Sequence, residues 1–488
     1  MAVIGIDLGT SGCKAVLVER DGSILASATA SYPLSTPKPL WSEQAPADWW
    51  KGVVEAVKAV RKKHAKVSID GIGIGGQMHG AVLLDASDKV LRPAILWNDG
   101  RCQAECDWLH AQVPNLIAET GNRALVGFTA PKLVWVKNHE PKVWAKVRTV
   151  LLPKDWVRFM MTGDKVAEMS DGAGMLLMDV AKRQWSPAML KACSIDESFL
   201  GRLVEGCDIA GHVTEAAAKE LGIPAGTPVV GGAGDQAAGA VGAGCTEPGQ
   251  CTIALGTSGV VFTTTAGYAP DAEGRLHTFC HALPGVWHQM GVMLSAAGSL
   301  QWYRDTLAPK ADFGALCDEA GTAPIGCEGL TFLPYLTGER TPLCDAQARG
   351  AFIGLTRLHT RAHLTRAVLE GICLGLADSL KLIRASGTEV KEATVTGGGT
   401  RSDVWMQMLA DIGNVTIVRR SGADAGPALG GARLALIGCC GLPAAKVCKP
   451  GPVEKKFKPN VKAVKAYAAI SARFAALYPA IKAYCHAV

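Results

Sequence analysis

The sequence predicts an α/β chain made of two similar halves, and three observations carry that reading. The pentapeptide LGTSG occurs twice, at residues 8–12 and 255–259, about half of the 488-residue chain apart. Each copy lies between β-rich runs: VIGID and CKAVLVERDG flank the first, QCTIA and VVFTTTAG the second. Elsewhere strand-like runs alternate with helical ones through Gly-rich turns, the pattern of an α/β protein. A chain of this length exceeds one ordinary core. The repeat divides it into residues 1–244 and 245–488, with the boundary in 244–249, just ahead of the second copy.

Both LGTSG segments read as β-hairpins with small-residue loops. Glycines let successive N–H groups point into one concavity, and Thr or Ser hydroxyls add donors, which suits phosphate oxygens. Two facing hairpins, one from each half, would hold a triphosphate between them. Taken singly, each is also a plain tight turn. KVSIDGIGIGGQMHGAVLLD reads as strand, Gly turn, strand, and TPVVGGAGDQAAGAVGAG as strand, Gly turn, helix. HLTRAVLEGICLGLADSLKLIRASG is a long amphipathic helix ending at Gly387. EATVTGGGTRSDVWMQMLADIGNVTIV reads as strand, Gly turn, helix, strand. The Lys-rich end forms a helix from about Val461, with a solvated basic face.

Composition narrows the class. Hydrophobic residues are 48% and charged residues 19%, as in an ordered globular protein. The formal charge of +6 is not gathered into the basic stripe of a nucleic-acid binder. The 16 cysteines are scattered, unlike a disulfide framework. Cys102 and Cys106 have no second pair to complete a zinc site. Asp7 interrupts the short apolar opening, against a signal peptide, and no run approaches the ~20 apolar residues of a membrane helix. A reduced cytoplasmic enzyme, with neither nucleic acid nor membrane as partner, is the expectation.

Chemistry concentrates at the strand ends. Asp7 directly precedes the first hairpin loop; beside phosphate it calls for an intervening cation, and Mg²⁺ takes carboxylates together with phosphates. Asp235 follows a strand and a Gly turn at a helix start. It reads either as an N-cap or as a base accepting the proton of an attacking hydroxyl. Gly232, Gly234 and Ala237 also fit a dinucleotide fingerprint, as do Gly71, Gly73 and Gly76. Asp235 weakens the first match, because an anion stands where pyrophosphate would approach. A Walker loop is excluded, since the chain has no Gly-Lys dipeptide. Met78 and His79 follow the glycine run and offer an apolar wall and a hydrogen-bonding ring to a polyol. TVTGGGTRSD offers a backbone nest at a helix start.

Together these segments resemble the FGGY family of carbohydrate kinases over nearly the whole chain. IGIDLGTSGCKAVL and CTIALGTSG are similar to its two phosphate hairpins, and VVGGAGDQAAGAVGAG to the segment bearing its catalytic Asp. Residues 350–371 resemble the family signature, with Gly354, His363, Ala367 and Glu370; TGGGTRSD resembles its adenosine motif. GQMHG, LWSEQAPADWW, ILWNDGRC, LLPKDWVRFMMTGD and LPYLTGERTP are similar to the branch that phosphorylates D-xylulose.

The resemblance implies a duplicated ribonuclease H-like ATPase fold, shared with actin and hexokinase, with two domains around a central cleft. It implies transfer of phosphate from ATP, with Mg²⁺, to D-xylulose, giving D-xylulose 5-phosphate. Asp235 would be the base, and Asp7 would orient Mg²⁺ or the phosphates. Met78 and His79 would bind the ketose beside Asp235. Thr10, Ser11, Gly256, Thr257 and Ser258 would hold the phosphates. Gly397, Gly398 and Ser402 would line the nucleotide, although Ser402 stands where the glycerol kinase branch usually has Asn. Ser299 and Gln301 would approach the nucleotide. A homodimer is compatible with the resemblance. The rival readings are a kinase for another small ketose or polyol, such as ribulose or erythritol; an actin-like ATPase with protein partners; and a dinucleotide dehydrogenase.

Overall fold

The computed structural model describes residues 1–422 and 426–487. The first half is built on β1 (Ala2–Leu8), β2 (Gly12–Glu19), β3 (Ile24–Ser31), β4 (Ile69–Gly76), β5 (Ile209–His212) and β6 (Pro228–Val230), in the order β5-β6-β4-β1-β2-β3. The second is built on β7 (Cys251–Leu255), β8 (Gly259–Thr265), β9 (His277–Cys280), β10 (Trp287–Met293), β11 (Glu392–Thr396), β12 (Thr416–Arg420) and β13 (Val453–Phe457), in the order β9-β10-β8-β7-β11-β12-β13.

The two sheets superimpose as a pattern. In each, a hairpin (β1/β2, β7/β8) carries a third antiparallel strand on one side and two parallel strands on the other, then an antiparallel edge strand. The edges differ: β5 precedes β6, whereas β13 follows β12, and the second sheet carries an extra edge strand, β9, beyond β10. The fold is the duplicated ribonuclease H-like α/β architecture.

Both LGTSG segments are the turns of their hairpins. Leu8 pairs with Cys13, and Leu255 with Gly259. The Gly9 and Gly256 N–H groups close the loops onto the Gly12 and Ser258 carbonyls, at 3.0 and 3.1 Å.

Six helices frame the sheets: α1 (Pro46–Lys62), α2 (Pro153–Thr162), α3 (Asp235–Ala243), α4 (Arg361–Ala385), α5 (Asp403–Gly413) and α6 (Gly426–Gly438). α1 shows the local logic. Pro46 presets the first turn. Trp49, Val53, Ala56 and Val60 recur every three to four residues and are buried against β2 and β3, and Arg61 and Lys62 complement the C-terminal dipole. α4 is buried on nearly every face rather than on one stripe. Here the family signature serves architecture: His363 closes a capping box with Thr360, and Glu370 binds Arg366, Tyr467 and the Gly326 N–H. The C-terminal helix Val461–Ala487 buries Tyr467, Phe474 and Tyr478 and leaves Lys462, Lys465 and Lys482 exposed.

The glycine run keeps the strand-like alternation of its sequence and leaves the turn to the residues after it. Residues 71–76 are not a turn but the interior of β4, and the chain turns only at 77–80, where His79 takes a φ of 69°. The reason is α6, which belongs by sequence to the second half yet packs with α3 on the first sheet, over β1 and β4. A methyl at Gly73 would collide with the Gly431 carbonyl, and one at Gly5 with the Ala428 carbonyl. The glycines therefore let a helix rest directly on strand backbone. This removes the dinucleotide reading of residues 71–76.

Candidate active site

Three backbone segments end side by side at one edge of the first sheet. Leu8 of β1 and Gly234 both pair with Gly76 at the end of β4, and the Gln77 N–H donates to the Leu8 carbonyl at 2.8 Å. Asp7, Asp235 and the segment Gln77–His79 thus converge at the carboxyl ends of parallel strands, the usual place for an α/β site.

Asp235 is the first residue of α3. Gly234 occupies the cap position, so the Asp235 carboxylate is not used as a cap and is free for other work. Burial pushes its pKa up to about 6, against the pull of the neighbouring Gln236 N–H. The Asp7 carboxyl is raised to about 7, first by burial and then by repulsion from Asp235. Two half-buried carboxylates facing each other suit a hard divalent cation that also carries phosphate oxygens.

The segment bearing Asp235 is held from behind. The Gly234 N–H donates to Ser170 Oγ at 3.1 Å, and Ser170 Oγ donates to Glu168 at 2.8 Å. Arg158 Nη1 donates to the Gly231 carbonyl at 2.6 Å. Lys154, fully buried, has Asp155 at 2.7 Å, Asp171 at 3.5 Å and Glu168 at 3.6 Å. Sequence reasoning missed this cluster. Its signal was present as three charges, Lys154, Asp155 and Arg158, on one short helix.

Met78 and His79 lie just beyond the end of β4, in the segment that converges with Asp235. His79 Nδ1 donates to the Gly174 carbonyl at 2.7 Å, which leaves Nε2 as an acceptor. Burial, aided by Lys132 and Arg340, lowers its pKa to about 3, so the ring is neutral at working pH. Phe128 packs edge-on at 4.6 Å. Met78 is buried against Gly234 and Gly174, where side chains would not fit.

The two LGTSG hairpins differ in detail. Thr10 Oγ1 is engaged within the protein, donating to Gln77 at 3.3 Å and accepting from Trp97 Nε1 at 2.9 Å. Ser11, Thr257 and Ser258 are exposed at the tips. In the second half, Gly256, Thr257, Gly398 and Ser402 line one cavity of about 820 Å³ together with Gln301. Gly397 adjoins it with a φ of 92°. Ser402 caps α5, accepting from the Trp405 N–H at 3.2 Å. Ser299 is not in the cavity; it is buried and bonded to Ser295. Phe313, Cys317 and Trp405 are among its further lining residues, three that no sequence pattern singled out.

Residues 2–242 match the N-terminal domain of the FGGY family of carbohydrate kinases, and residues 251–439 match its C-terminal domain. The chain belongs to the FGGY family. As an FGGY protein it is a carbohydrate kinase. It is 49% identical over 434 residues to a xylulose kinase of Escherichia coli (strain K12), with 89% of each chain covered. It is 46% identical over 482 residues to a xylulose kinase of Klebsiella pneumoniae, covering 98% of this chain and 99% of that one. Among solved structures, a xyloylose kinase from Brucella ovis is 44% identical, with a TM-score of 0.95 over 99% of this FGGY kinase and all of that chain. No helix among the described residues is long and apolar enough to cross a membrane.

Proposed function

We propose that this FGGY kinase transfers the γ-phosphoryl group of ATP to the terminal hydroxyl of D-xylulose, giving D-xylulose 5-phosphate and ADP. The observation that carries the reading is Asp235: a carboxylate released from capping, raised toward neutrality, beside both Asp7 and the Met78–His79 wall. Asp235 accepts the hydroxyl proton as the new O–P bond forms. The bond from the γ-phosphorus to the bridging oxygen breaks, and its electron pair leaves with ADP. The turns at residues 9–12 and 256–259 present backbone N–H groups to the phosphates, with Ser11, Thr257 and Ser258 as added donors. Gly397, Gly398 and Ser402 face the nucleoside. Asp7 would hold Mg²⁺, which supplies neutralisation of phosphate charge. The apolar Met78 and Phe128 keep water from competing with the sugar. The same reading places the enzyme in the cytoplasm, in keeping with sixteen unpaired cysteines.

ADP release from Mg-ATP is the direct test. D-xylulose should stimulate it well above D-ribulose, L-ribulose, glycerol or no sugar. Equal release without any sugar would return the site to an ATPase acting on another partner. Stronger stimulation by a different polyol would keep the chemistry and replace the substrate.

His79→Asn probes the sugar wall without disturbing the turn, because Asn tolerates the positive φ at this position. The KM for D-xylulose should rise about tenfold from loss of the ring acceptor, with the KM for ATP unchanged. Parallel rises in both constants would assign His79 to the fold rather than to the sugar.

A further inference from the structure

A cation from the second half reaches the sugar wall of the first. Arg340 lies in the loop between the short strands Thr331–Leu333 and Ala351–Ile353. Its neighbours pin that loop to β10. Glu339 accepts from the Leu294 and Arg340 N–H groups at 3.0 and 2.7 Å. Thr341 exchanges two hydrogen bonds with Val292, each of 3.0 Å, and its hydroxyl donates to the Arg275 carbonyl at 2.8 Å. The loop therefore aims Arg340 by backbone constraint. Its guanidinium ends beside Gly127, where a Cβ would stand 4.0 Å from Nη2. Gly127 leads directly into Phe128, the ring packed on His79.

Among the described residues no carboxylate lies within ion-pair distance of this guanidinium; Glu339 takes both backbone N–H groups on Oε1, and its buried Oε2 has no hydrogen-bond partner. The positive charge of Arg340 helps to hold both His79 and His277 neutral. Through Gly127 and Phe128, Arg340 thus stands on the His79 side of the proposed sugar site.

The hydrogen-bonding chemistry of the pair is directional. His79 Nε2 only accepts, and a guanidinium only donates. An acceptor next to a donor complements a hydroxyl adjacent to a carbonyl. We propose that Arg340 donates to the keto oxygen of the sugar while His79 accepts from the neighbouring hydroxyl, so that this residue selects a ketose over the corresponding alditol. The inference rests on the proposed sugar kinase activity. An alditol presents a hydroxyl where the carbonyl was, and its proton then faces a cation without an acceptor.

The test compares kcat/KM for D-xylulose and for xylitol, in the native enzyme and in Arg340→Met and Arg340→Lys. Arg340→Met should lose about 10- to 100-fold with D-xylulose and less than about threefold with xylitol, chiefly through KM. Arg340→Lys should fall between, because it retains charge without the planar fork. An unchanged ratio of the two sugars in both variants would overturn the proposal. Should Arg340→Met fail to fold, the ratio in Arg340→Lys decides by the same criterion. A native enzyme inactive on D-xylulose would instead remove the functional reading, a separate outcome seen before any variant is made.

Discussion

Asp235→Ala is expected to slow sugar phosphorylation by about 10²–10⁴-fold, the usual contribution of a positioned general base. The fold should survive, since Gly234 and not Asp235 caps α3, and the network from Ser170 and Arg158 holds the backbone rather than the carboxylate. The pH profile separates this from a merely structural loss. Only the ionised carboxylate accepts a proton, so kcat/KM in the native enzyme should rise with pH through about 6 and level off above it. In the variant that acid limb should vanish along with the rate. Removing Asp235 also removes the second cause, after burial, of the raised Asp7 pKa, so the remaining carboxyl should titrate at lower pH. Near-native turnover, or an unchanged acid limb in the variant, would take Asp235 out of the mechanism.

Lys154→Met should be among the most damaging changes to stability. Its ammonium is buried amid three carboxylates, and the substitution leaves them to repel one another in a low-dielectric interior. Breaking a buried charge cluster from one side costs about 3–5 kcal/mol. The expected readout is a large drop in the denaturant midpoint of the first unfolding transition. An unchanged midpoint would mean that Asp171, whose proton is already held tightly by burial, and its neighbours neutralise themselves without the lysine. A second consequence follows from position: Glu168 and Ser170 connect this cluster to the Gly234 N–H, so the surviving folded enzyme should present Asp235 less firmly and show a lower kcat.

The features legible in the sequence were those carried by local pattern. LGTSG, repeated with matching strand context, exposed the duplication because a hairpin is a local structure, and the two sheets share strand order around it. Asp235 stood out for its place between a Gly turn and a helix. The alternation in residues 71–76 marked a strand, but not why it is paved with glycine, because glycine permits a turn and equally permits close packing. Only α6, some 350 residues later in the chain, distinguishes the two. The inward turn of the Thr10 hydroxyl depends on Gln77 and Trp97, and the cavity beside the second hairpin draws on Phe313 and Cys317. None of these partnerships leaves a mark in any one stretch of residues.

The placement of α6 has a consequence for how the chain is made. A ribosome delivers β1 and β4 early, but their glycine-paved face stays bare until residue 438 has emerged. The first sheet therefore waits, partly unclad, through the synthesis of nearly the whole second sheet. That nascent interval, rather than the finished enzyme, is where the chain most needs shelter from aggregation.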